Sequence, residues 1–191
     1  MTARLIIMGP QGSGKGTQAT RLAERIGVPA ISTGDIFRAN VKDGTDLGMR
    51  AKAIMDGGDL VPDEITNAMV RDRLGAPDAA GGFILDGYPR TAEQVTALDK
   101  VLADSGPLDA VVELTAPQED LLVRLRKRAG VEGRDDDTEE AISRRLAIYA
   151  QQTAPLTRSY AARGLLVTVN GIGEVDEVTE RVLGALAEHI G

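Results

Sequence analysis

Leu5-Ile6-Ile7-Met8-Gly9-Pro10-Gln11-Gly12-Ser13-Gly14-Lys15-Gly16-Thr17 is the stretch that decides the fold. Four consecutive apolar residues predict a strand buried on both faces, as strands of parallel sheets are. The glycine-rich loop follows without a spacer. Ala19, Leu22, Ala23 and Ile26 then recur at helical spacing, and Gly27 is placed to cap the helix. In that strand–loop–helix context the spacing Gly9-x4-Gly14-Lys15 reads as a phosphate-binding loop. Glycines let backbone N–H groups converge on an anion, the helix N-terminus adds roughly half a positive charge, and Lys15 reaches outward toward the distal phosphates. The residue after Lys15 is Gly16, with the hydroxyl one place later at Thr17, so a direct hydroxyl ligand to a metal is not assured by the motif.

Working outward, further short apolar runs predict strands at Val28-Pro29-Ala30-Ile31, Gly82-Phe83-Ile84-Leu85-Asp86, Ala110-Val111-Val112-Glu113-Leu114 and Leu165-Leu166-Val167-Thr168-Val169. Helical patterns lie between and after them, around Ile65 to Asp72, Val95 to Leu102, Leu121 to Leu125, Ala141 to Tyr149 and Val175 to Ile190. The alternation predicts an α/β fold around a mostly parallel sheet, with ligands at the carboxyl ends of the strands. Residues 33–62 are polar and spotted with glycine, and 129–137 read as a charged loop without apolar period. Both are expected as excursions from one core, and Pro155 is expected to end or kink the helix that starts near 138.

Composition narrows the functional classes. The chain has 191 residues with 22 basic and 29 acidic side chains, a net charge of −7, which fits one domain and disfavours a general nucleic-acid binder. The absence of cysteine removes disulfide scaffolds, thiolate zinc sites and cysteine nucleophiles. The single histidine, His189, is expected on the surface of the last helix, far from any triad. No apolar run approaches the ~20 residues that span a bilayer, so a soluble cytoplasmic protein is expected.

Asp86 ends an apolar strand and opens Asp86-Gly87-Tyr88-Pro89-Arg90. An acid at that place beside a phosphate loop is suited to hold Mg²⁺ directly or through its waters. Together with the loop, with Ile31-Ser32-Thr33-Gly34-Asp35-Ile36-Phe37-Arg38 and with the arginines near 124–145, this motif resembles adenylate kinase nearly end to end and at the family's spacing.

The resemblance implies the P-loop nucleoside monophosphate kinase fold, with a five-stranded parallel sheet flanked by helices. It implies one domain with its core at 1–32, 63–126 and 138–191, a monophosphate-binding excursion at 33–62 and a short lid at 127–137. The activity implied is reversible transfer of the terminal phosphoryl of Mg-ATP to AMP, giving two ADP, in adenine nucleotide homeostasis and AMP salvage. A monomer acting on ATP, AMP and ADP is implied, with no nucleic acid, no membrane and, without lid cysteines, no zinc. By resemblance, ATP is held by Gly12, Ser13, Gly14, Lys15, Gly16, Thr17, Arg124, Arg128 and Gly173. AMP falls to Thr33, Arg38, Asp59, Leu60, Val61, Gly87, Tyr88, Pro89, Arg90, Gln94, Arg134 and Arg145. Met55 is expected to pack on the AMP base. Lys15, Arg90, Arg128, Arg134 and Arg145 are the implied catalytic set, and Asp86 the metal holder. UMP/CMP kinases share the loop and the Asp-Gly-aromatic-Pro-Arg motif but typically carry Ala where Thr33 stands. A UMP/CMP or other small-acceptor kinase, or a nucleotide-binding module without transfer, are the alternatives. The acidic run Asp135-Asp136-Asp137 is equally well a helix-capping run. Arg126 and Lys127 read as a solvated helix face.

Overall fold

The computed structural model describes residues 3–132 and 138–190, the side chains of 128–132 excepted. Five strands, β1 (Ala3–Met8), β2 (Ala30–Ser32), β3 (Gly82–Asp86), β4 (Ala110–Thr115) and β5 (Leu166–Asn170), form one sheet in the order β2-β3-β1-β4-β5. Every pairing is parallel, with Ile6 opposite Leu85 on one side of β1 and Val111 on the other.

The continuous apolar runs follow from burial on both faces. Leu5, Ile7, Ile84, Val112 and Leu114 point to one core, packed by Leu22 of α1 (Lys15–Ile26) and by Val178, Val182 and Leu186 of α9 (Val175–Leu186). Ile6, Met8, Phe83, Leu85 and Val111 point to the other, covered by Val70 of α4 (Asp63–Leu74), Leu98 and Leu102 of α5 (Ala92–Leu102), and Leu156 and Tyr160 of α8 (Leu156–Ala162). Burying each such aliphatic side chain stabilises the fold by about 1.5–3 kcal/mol, so alternate residues along a strand hold helices to opposite faces. The fold is therefore the α/β sandwich expected, five-stranded and wholly parallel.

Helix ends follow local chemistry. Gly27 takes the left-handed conformation that caps α1. Pro29 precedes β2 at the sheet edge, where its missing N–H costs no ladder bond, and its carbonyl accepts from Ile84. The excursion at 33–62 is a helical hairpin, α2 (Thr33–Lys42) and α3 (Asp46–Asp56), with a small core of its own formed by Phe37, Ala51 and Val61.

Four expectations need correction. Helix α6 (Gln118–Glu132) runs through the first residues of the charged stretch assigned to a loop from 129, because Arg126-Lys127-Arg128-Ala129 are good helix formers that carry it past its last core anchor, Leu125. Helix α7 (Glu139–Ile148), capped by Thr138, continues to Thr153 as a π-helical segment, Tyr149–Thr153, so the helix has the length expected up to Pro155 but is not α throughout. Pro155 does more than stop a helix: it is the N-cap of α8, a helix not anticipated, where its lack of N–H is no loss. Finally, α9 ends at Leu186, so His189 lies half-buried in the following turn. No described helix is long and apolar enough to cross a membrane.

Candidate active site

One side of the candidate site is built where β1 stops. Gly12 has φ +86°, and a Cβ there would come 3.0 Å from both the Leu121 carbonyl and the Leu125 side chain, so the loop lies directly on α6 at a place only glycine fits. Helix α1 starts at Lys15 with Gly14 as an N-cap that has no side chain to offer, which leaves the first N–H groups of the helix for a ligand. Ser13 is buried and its Oγ has no hydrogen-bond partner. Arg124 of α6 donates from Nη1 and Nη2 to the Gly171 carbonyl at 3.1 and 3.2 Å, tying the loop to the β5–α9 connection that carries Gly173.

The other side hangs on the carboxyl ends of β2 and β3. Ser32 caps α2 by accepting from Asp35 N, and Thr33 Oγ1 donates to the Gly87 carbonyl at 3.0 Å. Arg38, one turn along, pairs with Asp35 at 2.5 Å. Gly87 has φ +79°, and a Cβ there would lie 2.8 Å from Arg90 Nη2 and 2.9 Å from Thr33 Oγ1. Arg90 is gripped at three points: Nε donates to Gly87 O at 2.7 Å, its backbone N donates to Gln94 Oε1 at 2.7 Å, and its carbonyl accepts from Thr153 Oγ1 at 2.9 Å. Burial pushes the Arg90 pKa below the ordinary arginine value; Asp86 opposes that shift, while Arg145 and Arg38 add to it. Three cations held within electrostatic reach of one another favour an anion between them.

Asp86 closes the gap between the two sides. It is buried, its Oδ1 has no hydrogen-bond partner, and Oδ2 would lie 3.4 Å from a Cβ built on Gly16. From α7, Arg145 Nη2 donates to Met55 O at 2.8 Å, and Arg144 Nε meets Asp59 Oδ1 at 2.6 Å, so the 33–62 excursion rests on this helix.

Residues of both sides line one cavity of about 930 Å³. Every expected site residue whose side chain is described lines it: the loop from Gly12 to Thr17, Thr33, Arg38, Asp59 to Val61, Asp86 to Arg90, Gln94, Arg124, Arg145 and Gly173. Met55 does so as well. The Arg128 side chain and all of Arg134 and Asp135 to Asp137 lie outside the described residues. Arg126 and Lys127 are exposed, and Arg126 pairs with Glu139 at 3.1 Å, as a solvated face should. Three supporting residues were not anticipated. Thr153 reaches Arg90 from the π-helical segment, Asn67 accepts from Tyr88 OH at 2.7 Å, and Asp63 accepts from Gln94 Nε2 at 2.7 Å. No local signal marks these residues; Asp63 reads as an ordinary first-turn acid.

A strand, glycine loop and helix at the carboxyl end of a parallel sheet, sharing one cleft with Arg38, Arg90 and Arg145, is the arrangement of the P-loop phosphotransferase class. The family model described as adenylate kinase matches residues 7–165. The chain is 60% identical to the adenylate kinase of a Nocardioides species over 184 residues, covering 96% of each chain. It is 58% identical to that of Bifidobacterium longum, covering 96% of this chain and 99% of the relative, and 56% identical to that of Kocuria rhizophila, covering 96% and 98%. The chain belongs to the adenylate kinase family.

Proposed function

We infer that the chain transfers the terminal phosphoryl group of Mg-ATP to AMP, giving two ADP. The observation that carries this reading is one cleft lined both by the glycine loop and by Arg38, Arg90 and Arg145. A module that only held one nucleotide would need the loop alone. Thr33, with its hydroxyl on Gly87 O and its place in the cleft wall, supports AMP over the pyrimidine acceptors.

The chemistry needs no general base. The attacking group is an AMP phosphate oxygen, already anionic at neutral pH. It forms a bond to the γ-phosphorus as the bond from γ-phosphorus to the β,γ-bridging oxygen breaks, and that electron pair leaves on ADP. Catalysis is then in-line placement and charge neutralisation. The loop N–H groups and Lys15 hold the donor phosphates, and Arg90 and Arg38 hold and align the acceptor phosphate. Arg145 serves both, with Arg124 and Gly173 beside the ATP base. Arg128 and Arg134 complete the set on the lid side in this proposal.

The unpartnered Asp86 Oδ1 suits a hydrated divalent cation, and no cluster of three or more acidic or histidine ligands accompanies it among the described residues. Asp86 would hold Mg²⁺ through water, with most ligands supplied by phosphates. When bound, the ion neutralises charge on the transferring group. The monomeric, cytoplasmic setting expected from the sequence belongs to this proposal too.

The reading requires two nucleotide sites in one cleft. A ligand joining two adenosines through five phosphates is expected to bind at least roughly tenfold tighter than ATP by linking both sites. It is also expected to protect backbone amides of 33–62 from hydrogen exchange, while β1, β3 and β4 change little. Binding no tighter than ATP, with 33–62 unprotected, would leave a one-site nucleotide binder.

A further inference from the structure

Helix α4 begins at Asp63, the residue at which the 33–62 excursion rejoins the core, and its N-cap, Pro62, makes no side-chain cap bond. An acid in the first turn is favourable for the helix dipole alone. Yet both oxygens of Asp63 are taken up by the Thr91–Gln94 turn, and Gln94 lines the cleft. Oδ1 accepts from Gln94 Nε2 at 2.7 Å, and Oδ2 accepts from Thr91 Oγ1 at 2.8 Å. Thr91 is the N-cap of α5 and accepts from Gln94 N at 3.2 Å. Gln94 itself is 2% exposed, and its Oε1 accepts from Arg90 N at 2.7 Å.

We propose that Asp63 is a positioning residue for base selection: acting through Gln94, it fixes the amide that faces the acceptor purine and so sets the preference for a 6-amino over a 6-oxo purine. This rests on the AMP reading above. A terminal amide torsion is broad and close to two-fold, so one hydrogen bond leaves its plane loose. The Arg90 N–H is a donor and holds the oxygen end; the Asp63 carboxylate is an acceptor and holds the nitrogen end. Two contacts of opposite kind fix both the sense and the plane of the amide. One N–H of Nε2 and one lone pair of Oε1 remain for the base. At C6, adenine presents a donor and hypoxanthine an acceptor in nearly the same shape. A fixed amide that matches one therefore leaves unpaired polar groups against the other, whereas a loose one accommodates both.

The test compares wild type, Asp63→Ala, Asp63→Asn, Gln94→Ala and the double variant Asp63→Ala/Gln94→Ala. The readouts are kcat and KM with AMP and with IMP, the KM for ATP and the thermal midpoint. Asp63→Ala is expected to lower the AMP-over-IMP ratio of kcat/KM by roughly tenfold, mainly through the KM for AMP, with the KM for ATP unmoved. Asp63→Asn removes the charge but can turn its carbonyl to Gln94 Nε2 and its amide to Thr91 Oγ1, so it is expected to keep the ratio within about threefold of wild type. The double variant should fall no lower than Gln94→Ala. An unchanged ratio in Asp63→Ala, an Asn variant as impaired as Ala, or additive losses in the double variant would each overturn the proposal. If Asp63→Ala does not fold, Asp63→Ser, whose side chain is too short to reach Gln94, carries the same comparison. A wild type indifferent between AMP and IMP would refute the acceptor reading itself and this proposal with it. An AMP preference that survives Asp63→Ala would refute this proposal alone.

Discussion

Lys15→Ala is expected to fold normally and to lose roughly 10²–10³ in kcat, the usual cost of removing one preorganised donor from developing charge. Lys15 is the first residue of α1, and the core packing near it comes from its neighbours. Gly12 sits on α6, Gly14 forms the cap, and Ala19 and Leu22 pack the core. Removing the ammonium therefore takes away charge at the donor phosphates and little packing. Circular dichroism and the thermal midpoint check folding, and steady-state turnover with ATP and AMP gives the loss. Activity within a few-fold of wild type would remove Lys15 from the mechanism.

Arg90→Ala is expected to have a broader effect: roughly 10³-fold in kcat/KM for AMP, shared between a higher KM and a lower kcat, because the same fork binds and aligns the attacking phosphate. Gln94 and Thr153 fix its backbone and Gly87 O fixes its Nε, in a place where Arg38 and Arg145 add their charge. The KM for ATP should move only a few-fold. Arg90→Lys keeps the charge without the planar fork and should recover the loss in part. An effect confined to the KM for ATP would mean that the donor and acceptor walls of the cleft are reversed.

The glycine-loop half of this site is legible in the sequence because its signals are local. A strand buried on both faces, a glycine loop and a helix start within a dozen residues leave few alternatives, and Leu5 to Met8 and Gly82 to Leu85 read as apolar runs for the same reason. The acceptor half is legible through resemblance in Thr33, Arg38, Arg90 and Gln94, but its supports are not. The Asp63–Gln94 bond spans 31 residues and the Thr153–Arg90 bond 63, and no period or motif encodes such pairings. Gln94, expected simply to read a base, has much of its hydrogen-bonding capacity used internally, on Arg90 and Asp63. Arg124, expected at the ATP base, donates to the Gly171 backbone carbonyl as well as lining the cleft. Helix limits failed where propensity and packing part company. Helix α6 outruns its apolar anchors, and the chain after Pro155 is held as α8 by Leu156 and Tyr160 in a core that forms only once the sheet exists.

The central claim is transfer from ATP to AMP, and the most direct measurement is ADP formation from Mg-ATP with AMP, UMP, CMP, GMP or shikimate offered separately at equal concentration. Turnover with AMP is expected to exceed that with every other acceptor by at least roughly tenfold, with two ADP formed per ATP consumed. A preference for UMP or CMP, or ATP binding without transfer to any acceptor, would contradict it.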